Sequence, residues 1–143
     1  MRYAAFNLAV QFYNGNGTAK DNVNFLRWLR IASGFGIPEA CAVLGDQCSR
    51  AGNGAEAREW YEKAAASSHI PSMLALAVRY RDGIGGPADK VQALRWFLAP
   101  LDRGNGDGVH PGIELARTMT ENEIREAGRL SGHSDEAELF IGR

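Results

Sequence analysis

The sequence of 143 residues predicts an all-α fold, a right-handed α/α solenoid of three helix-turn-helix repeats with a C-terminal helical cap. The first observation is a motif that occurs three times: a leucine, a turn and a tryptophan. The repeated leucines are Leu8, Leu44 and Leu76, and the repeated tryptophans are Trp28, Trp60 and Trp96. The second is their spacing: the leucines are 36 and then 32 residues apart, and the tryptophans 32 and then 36. A four-residue deletion in the middle copy explains both irregularities, and a period of this size is typical of helical repeat arrays.

The first repeat, about residues 2–36, predicts two helices joined by a glycine-rich turn. The buried stripe of its first helix is predicted at Ala4, Leu8 and Phe12, with small Ala9 beside it. Gly15 and Gly17 are expected to end that helix, because glycine adopts the left-handed conformation of many helix ends without strain. Asp21 is expected to cap the second helix by accepting hydrogen bonds from its free amides. The buried face of the second helix is predicted at Phe25, Trp28, Leu29 and Ala32.

The second repeat, about residues 37–68, predicts a first helix over residues 37–51. Asn53, with Glu56 three residues later, is a capping pattern and predicts where the next helix begins. In each repeat the tryptophan of this second helix is expected to fill the gap between the two helices. It should then be the largest single contributor to the core of its repeat.

The third repeat, about residues 69–104, shows the same order of signals. Asp89 with Gln92 repeats the capping pattern before the second helix. Pro100 has no amide hydrogen and its ring clashes with the preceding turn of a helix. We therefore expect the helix to bend or loosen at this residue.

The segment 104–112, GNGDGVHPG, interrupts the pattern, because a fourth repeat would need apolar residues where its glycines fall. The array is expected to end here. A short helix is predicted over residues 113–119, and Thr120 with Glu123 predicts a capping box for a last helix that ends near Ser131. The predicted organisation is a single solenoid domain, residues 1–143, with a cap at 109–131 and a tail at 132–143.

These motifs resemble the Sel-one-like repeat family, relatives of the tetratricopeptide repeat. The residues that carry the resemblance are Leu44-Gly45, Trp60-Tyr61-Glu62-Lys63-Ala64-Ala65, Tyr80, Gly83-Ile84-Gly85, Asp89 and Trp96-Phe97. The resemblance covers about residues 2–108 and departs from the family pattern at Phe12, Cys48 and Pro100. It implies a helical scaffold for protein assembly that generally has no catalytic residues. It also implies a bacterial adaptor, regulator or immunity-type protein.

Composition narrows the function classes further. The net charge of −1 argues against a broad nucleic-acid surface, since such proteins usually carry a basic excess. No run of 18 apolar residues occurs, so no membrane span is predicted. Cys41 and Cys48 lie two turns apart on one predicted helix, about 10 Å along its axis. This exceeds the reach of a disulfide, so two reduced thiols in the cytoplasm are expected.

No residue pattern predicts catalysis, and neither a metal nor another cofactor is expected. The segment 83–86, Gly-Ile-Gly-Gly, follows a helix rather than a strand and repeats the turn of the first copy, so it is interpreted as a turn and not a phosphate loop. His69, His110 and His133 fall in three different segments without ligand-spaced partners, which argues against zinc. No general acid–base pair is found.

The resemblance also predicts which residues face the concave groove of the array. In a tetratricopeptide-like stack these lie five and two residues before the repeat leucine, and two and five after it. In the first copy they are Tyr3, Phe6, Val10 and Tyr13; in the second, Glu39, Ala42, Asp46 and Ser49; in the third, Pro71, Leu74, Val78 and Arg81. The predicted groove is aromatic at one end, acidic in the middle, and apolar with one arginine at the other end.

The function predicted from this groove is non-catalytic binding of another protein, with a toxin or effector among the candidate partners. Phe6, Val10, Leu74 and Val78 are the predicted anchors, and Glu39, Asp46 and Arg81 are predicted to set register and polarity. The alternatives left open are a structural subunit, a homodimer, a groove covered by residues 132–143, and an enzyme with an unrecognised site.

Overall fold

A computed structural model of the protein describes residues 2–14 and 19–141, and all regular structure in these ranges is helical. The predicted all-α class is therefore confirmed. The helices are α1 (Arg2–Asn14), α2 (Ala19–Gly34), α3 (Pro38–Arg50), α4 (Gly54–Ala66), α5 (Ile70–Asp82), α6 (Lys90–Leu98), a 3₁₀ helix (Ala99–Arg103), α7 (Val109–Ala116), α8 (Glu121–Ser131) and α9 (Ser134–Glu138). The chain forms two compact units, an N-terminal unit (Met1–His69) and a C-terminal unit (Ile70–Arg143).

In the N-terminal unit α1 packs on α2, α2 on α3, and α3 on α4. The core of this unit consists of Ala5, Ala9, Phe25, Leu29, Ala32, Ile37, Ala40 and Leu44. Trp28 and Trp60 are partly buried and pack against it. The residue after each tryptophan, Leu29 or Tyr61, is more completely buried.

The pairing of Gly45 with Tyr61 explains one part of the repeat motif. A Cβ atom at Gly45 would lie 3.1 Å from the Tyr61 ring, which is closer than most real side chains come. A larger residue would make the tyrosine ring shift by a few tenths of an ångström, so glycine favours this close approach of α3 and α4 with the ring between them. Where the third repeat has Ala77 instead, the partner position holds Phe97, which has no hydroxyl.

The predicted stripe of α1 is wrong in part. Ala5 and Ala9 are buried, whereas Ala4 is exposed and Leu8 only partly buried. The reason is that α1 packs against one helix, α2, whereas α3 packs against two and therefore buries two stripes. The side chain of Phe12 and the predicted turn glycines lie outside the described residues.

Helix starts follow the predicted capping signals, with one exception. Asn53 caps α4 by accepting from the Glu56 amide at 3.3 Å, and Asp89 caps α6 by accepting from the Gln92 amide at 3.1 Å. Thr120 and Glu123 form the predicted capping box of α8, which ends at Ser131 as expected. The exception is Asp21, since α2 already begins at Ala19.

In the C-terminal unit α5, α7 and α8 pack against α6, and α9 packs on α8. The core consists of Ala77, Ala93, Leu94, Phe97, Leu98, Leu115, Ala116, Ile124, Ala127, Ala137 and Phe140, with Trp96 partly buried against it. The change predicted at Pro100 is confirmed, because α6 ends at Leu98 and a 3₁₀ helix continues the chain.

The short helix predicted over residues 113–119 is displaced, because α7 begins at Val109, includes Gly112 and ends at Ala116. Glycine favours close approach here. A Cβ at Gly112 would meet the Leu94 side chain at 3.3 Å and the Phe140 ring at 3.4 Å. The residues that interrupt the repeat pattern are thus those that let α7 pack closely on its own unit.

Candidate partner-binding cleft

The N-terminal unit contains an open cleft of about 250 Å³. It is lined by Phe6 and Val10 from α1, Phe25 and Leu29 from α2, and Val43, Asp46, Gln47 and Arg50 from α3. The floor is apolar, since Phe25 and Leu29 are also members of the buried core. Val10 is 38% exposed and lies near the surface.

Helical periodicity brings these side chains together. Phe6 and Val10 are four residues apart and so share one face of α1, as Phe25 and Leu29 do on α2. The four lining residues of α3 fall at i, i+3, i+4 and i+7, which is one stripe of that helix. Three helices that are fixed by a common core therefore each contribute one face to the cleft.

Asp46 is held in place by a buried residue. The Tyr61 hydroxyl donates a hydrogen bond to Oδ1 of Asp46, and the tyrosine is only 5% exposed. Its ring is positioned by the close packing on Gly45 described above. The carboxylate at the rim of the cleft thus has a defined orientation set from the core of the unit.

Gln47 and Arg50 form the rest of the polar rim. Arg50 is exposed at the last residue of α3, and Gln47 is partly buried. Among the side chains that the structure describes, those of residues 3–11 and 23–141, neither Gln47 nor Arg50 has a side-chain hydrogen bond or an ion pair. The rim therefore carries one carboxylate that is already bonded and two polar groups that have no bonding partner among the described side chains.

The structure places three of the predicted groove residues, Phe6, Val10 and Asp46, in this one cleft. Of the other residues predicted in the same unit, Tyr3 is 49% exposed, and Tyr3, Glu39 and Ser49 do not line it. The side chain of Tyr13 lies outside the described residues.

The groove residues predicted in the third repeat belong to the C-terminal unit. Leu74 and Val78 are partly buried against its core. Arg81 pairs with Asp82 at 2.9 Å, and its guanidinium carbon lies 6.0 Å from the centre of the Phe97 ring. The Asp82 pKa is lowered by this hydrogen bond from Arg81.

Sequence reasoning missed five lining residues, namely Phe25, Leu29, Val43, Gln47 and Arg50. Two of them were assigned to the core, and core side chains can also form the floor of a cleft. The three on α3 lie beside the predicted groove positions, because the stripe was drawn about one residue out of register. The i, i+3, i+4, i+7 spacing of residues from Val43 to Arg50 could have indicated the correct stripe of α3.

The two cysteines lie on α3 as predicted and are both free thiols. Cys41 is buried, with its sulfur 3.0 Å from the Ser33 hydroxyl. Burial raises the pKa of the Cys48 thiol, and a 3.4 Å hydrogen bond to Glu56 adds to this effect. A raised pKa leaves less thiolate, so Cys48 is poorly suited to be a nucleophile.

The predicted tail is partly helical and contributes to the C-terminal core. Ala137 in α9 and Phe140 after it are buried there, whereas Leu139 is 64% exposed. The start of the tail carries a buried histidine, His133, whose Nε2 lies 2.8 Å from a carboxylate oxygen of Asp102. These tail side chains complete the core of their own unit.

The described part of the chain contains no group of three or more His, Cys, Asp or Glu side chains that could hold a metal ion. Its helices are all too short or too polar to span a lipid bilayer.

The three predicted repeats match a known family. The sequence model of the Sel1 repeat matches residues 2–33, 38–69 and 70–99. The chain is similar to a Sel1 repeat protein from Oxalobacter formigenes, with 30% identity and a TM-score of 0.69 over 79% of this chain and 88% of that one. A comparison with curated proteins finds no match.

A second solved structure is similar in fold alone. It is c5321, a protective antigen present in uropathogenic Escherichia coli strains and displaying an SLR fold, with 22% identity and a TM-score of 0.77. The similarity covers 97% of this chain and 32% of that one. Both similar structures are built from such repeats, which confirms the predicted solenoid class.

Proposed function

The chain belongs to the Sel1 repeat family, and on that premise we propose that it binds a segment of another protein in the cleft of its N-terminal unit. Sel1 repeats are generally non-enzymatic modules for protein–protein interaction. The observation that carries the proposal is the 250 Å³ cleft with an apolar floor and a polar rim. That combination matches the anatomy of a site that buries an anchor side chain.

The size of the cleft suits one large apolar side chain. An engineered cavity of about 150 Å³ binds benzene, so a cleft of about 250 Å³ has room for a larger aromatic or branched group. Burying such a side chain contributes roughly 1.5–3 kcal/mol. A few anchors of this kind account for most of the affinity of a typical interface.

The rim favours a partner protein as the occupant. The bonded carboxylate of Asp46 and the unused polar groups of Gln47 and Arg50 can set the register of a peptide segment through hydrogen bonds. A role as a bacterial adaptor, regulator or immunity-type protein in the cytoplasm is the finer form of this proposal. A toxin or secreted effector encoded by a neighbouring gene would support it.

The proposal is tested by binding with two matched variants. Val10→Asp places a charge at the mouth of the cleft, on a side chain that is already 38% exposed. Val23→Asp makes the same change at a 65% exposed position of α2 outside the cleft. Proteins captured by the wild type and by Val23→Asp, but lost with Val10→Asp, would be cleft ligands.

Circular dichroism of both variants shows whether the helices remain folded, so that loss of binding is not loss of structure. Equal capture by all three proteins would contradict the proposal. Sedimentation distinguishes the other occupant: a dimeric wild type that Val10→Asp converts to a monomer would indicate that a second copy fills the cleft.

A further inference from the structure

We infer that the bound segment carries an acidic side chain beside its apolar anchor, and that Arg50 recognises this carboxylate. The inference rests on the proposed function and specifies the chemistry of the partner. Its starting point is a side chain that lines the cleft, is exposed, and has no ion pair within the described residues.

Arg50 would ordinarily be expected to pair within its own helix. Asp46 precedes it by four residues, and an acid four residues before a base is the favourable order for an ion pair on a helix. In this structure the carboxylate of Asp46 accepts a hydrogen bond from the Tyr61 hydroxyl through Oδ1. No ion pair joins Asp46 to Arg50 among the described side chains, so the guanidinium is available to a ligand there.

The other two repeats show that this arrangement is not required by the repeat fold. The positions that correspond to Asp46 hold Val10 and Val78, and those that correspond to Tyr61 hold Leu29 and Phe97. The hydroxyl–carboxylate pair therefore occurs in the middle copy alone, at the rim of the cleft. A feature that repeat packing does not need, placed at a cleft, points to ligand recognition.

The chemistry of the rim selects an acid in preference to a base. A guanidinium offers a planar set of donors that fits a carboxylate with two parallel hydrogen bonds. A basic side chain would meet the positive charge of Arg50. The fixed negative charge of Asp46, one helical turn away, disfavours an acid at that end of the cleft. The two charges together specify where the acid of the segment must lie relative to its anchor.

Selection from a random library of 12-residue peptides against the full chain tests this inference. The selected peptides should combine a large apolar residue with Asp or Glu at a constant spacing. For one such peptide, Arg50→Gln should weaken binding about ten-fold or more, as expected for loss of a charge-assisted hydrogen bond. Arg27→Gln is the matched control, because Arg27 is exposed on α2 and does not line the cleft.

A second selection, against the Arg50→Gln protein, should retain the apolar preference and lose the acidic one. The difference in affinity between wild type and Arg50→Gln should also shrink at 1 M salt, where charges are screened beyond about 3 Å. Both results depend on charge recognition and would not follow from a purely structural role of Arg50.

The outcomes separate the inference from the proposed function. One contrary outcome is that the selected peptides lose binding to Val10→Asp but carry no conserved acidic residue. Another is that selection against Arg50→Gln yields the same acidic preference as selection against wild type. Either result would overturn the inference and leave the cleft as a binding site. Peptides that bind Val10→Asp as well as wild type, or a failure to select any peptide, would overturn both.

Discussion

The two units use the same repeat motif with different results. In the N-terminal unit Val10 remains 38% exposed at the mouth of an open cleft. In the C-terminal unit the corresponding residue, Val78, is partly buried against a core that also contains Phe140 from the tail. The chain that follows the third repeat completes the core of its unit. A repeat can therefore border an open cleft or a closed core, depending on which segments pack against it.

The largest expected effect comes from Gly108→Ala in the C-terminal unit. A Cβ atom at this position would lie 2.1 Å from the backbone oxygen of Phe97, which cannot move without displacing α6. We expect destabilisation of about 3 kcal/mol or more, at the upper end for overpacking. Thermal unfolding followed by circular dichroism measures it.

Gly106→Ala is the control for that change, because its Cβ would come no closer than 3.9 Å to Val109. Hydrogen exchange should show that the loss of protection in Gly108→Ala is concentrated in the C-terminal unit. A midpoint of unfolding equal to that of Gly106→Ala would mean that α7 does not pack on α6 as described.

The next effect tests whether the tail is part of the C-terminal core. Phe140→Ala should cost about 3 kcal/mol, as for other buried aromatic residues that are truncated. Leu139→Ala, at the 64% exposed neighbouring position, should change stability by less than about 0.5 kcal/mol. Similar unfolding midpoints for the two variants in chemical denaturation would show that the tail does not complete this core.

A smaller effect is expected where the cleft meets the core of the N-terminal unit. Tyr61→Phe keeps the ring against Gly45 and removes the hydroxyl that donates to Asp46. Loss of a hydrogen bond to a charged group should cost about 1.5–3 kcal/mol, less if Asp46 then pairs with Arg50. The same pairing should weaken binding of acidic peptides, measured by titration. Stronger binding would argue against the role assigned to Tyr61.

The smallest effect concerns Cys48, whose raised pKa follows first from burial and then from its hydrogen bond to Glu56. The folded chain favours the neutral thiol, so this contribution to stability is present below the ordinary thiol pKa and is lost as pH rises through the folded value. Alkylation rates against pH should show an inflection above that of a free thiol. Glu56→Gln should move the inflection down, and no movement would exclude Glu56 as a cause.

The sequence by itself determined the helical repeats and where several helices begin. Asn53, Asp89 and Thr120 each bond to an amide three residues later, so these signals act within a single turn of chain. Pro100 is equally local, since its ring affects the helix that contains it. Periodicity and capping depend on neighbours in sequence, which is why they could be predicted.

Only the tertiary structure decided what the repeats enclose. Gly112 was expected only to interrupt the repeat pattern, but it is a position of close approach to Leu94 and Phe140, residues that are distant in sequence. Ala4 and Ala40 occupy the same place in the motif, yet only Ala40 is buried, because α3 has helices on two sides. The hydrogen bond of Asp46 likewise depends on Tyr61, which lies on the next helix. The burial and the bonding partners of a side chain depend on which helices pack against it. A repeat motif is the same in every copy, so it cannot indicate how those neighbours differ from one copy to the next.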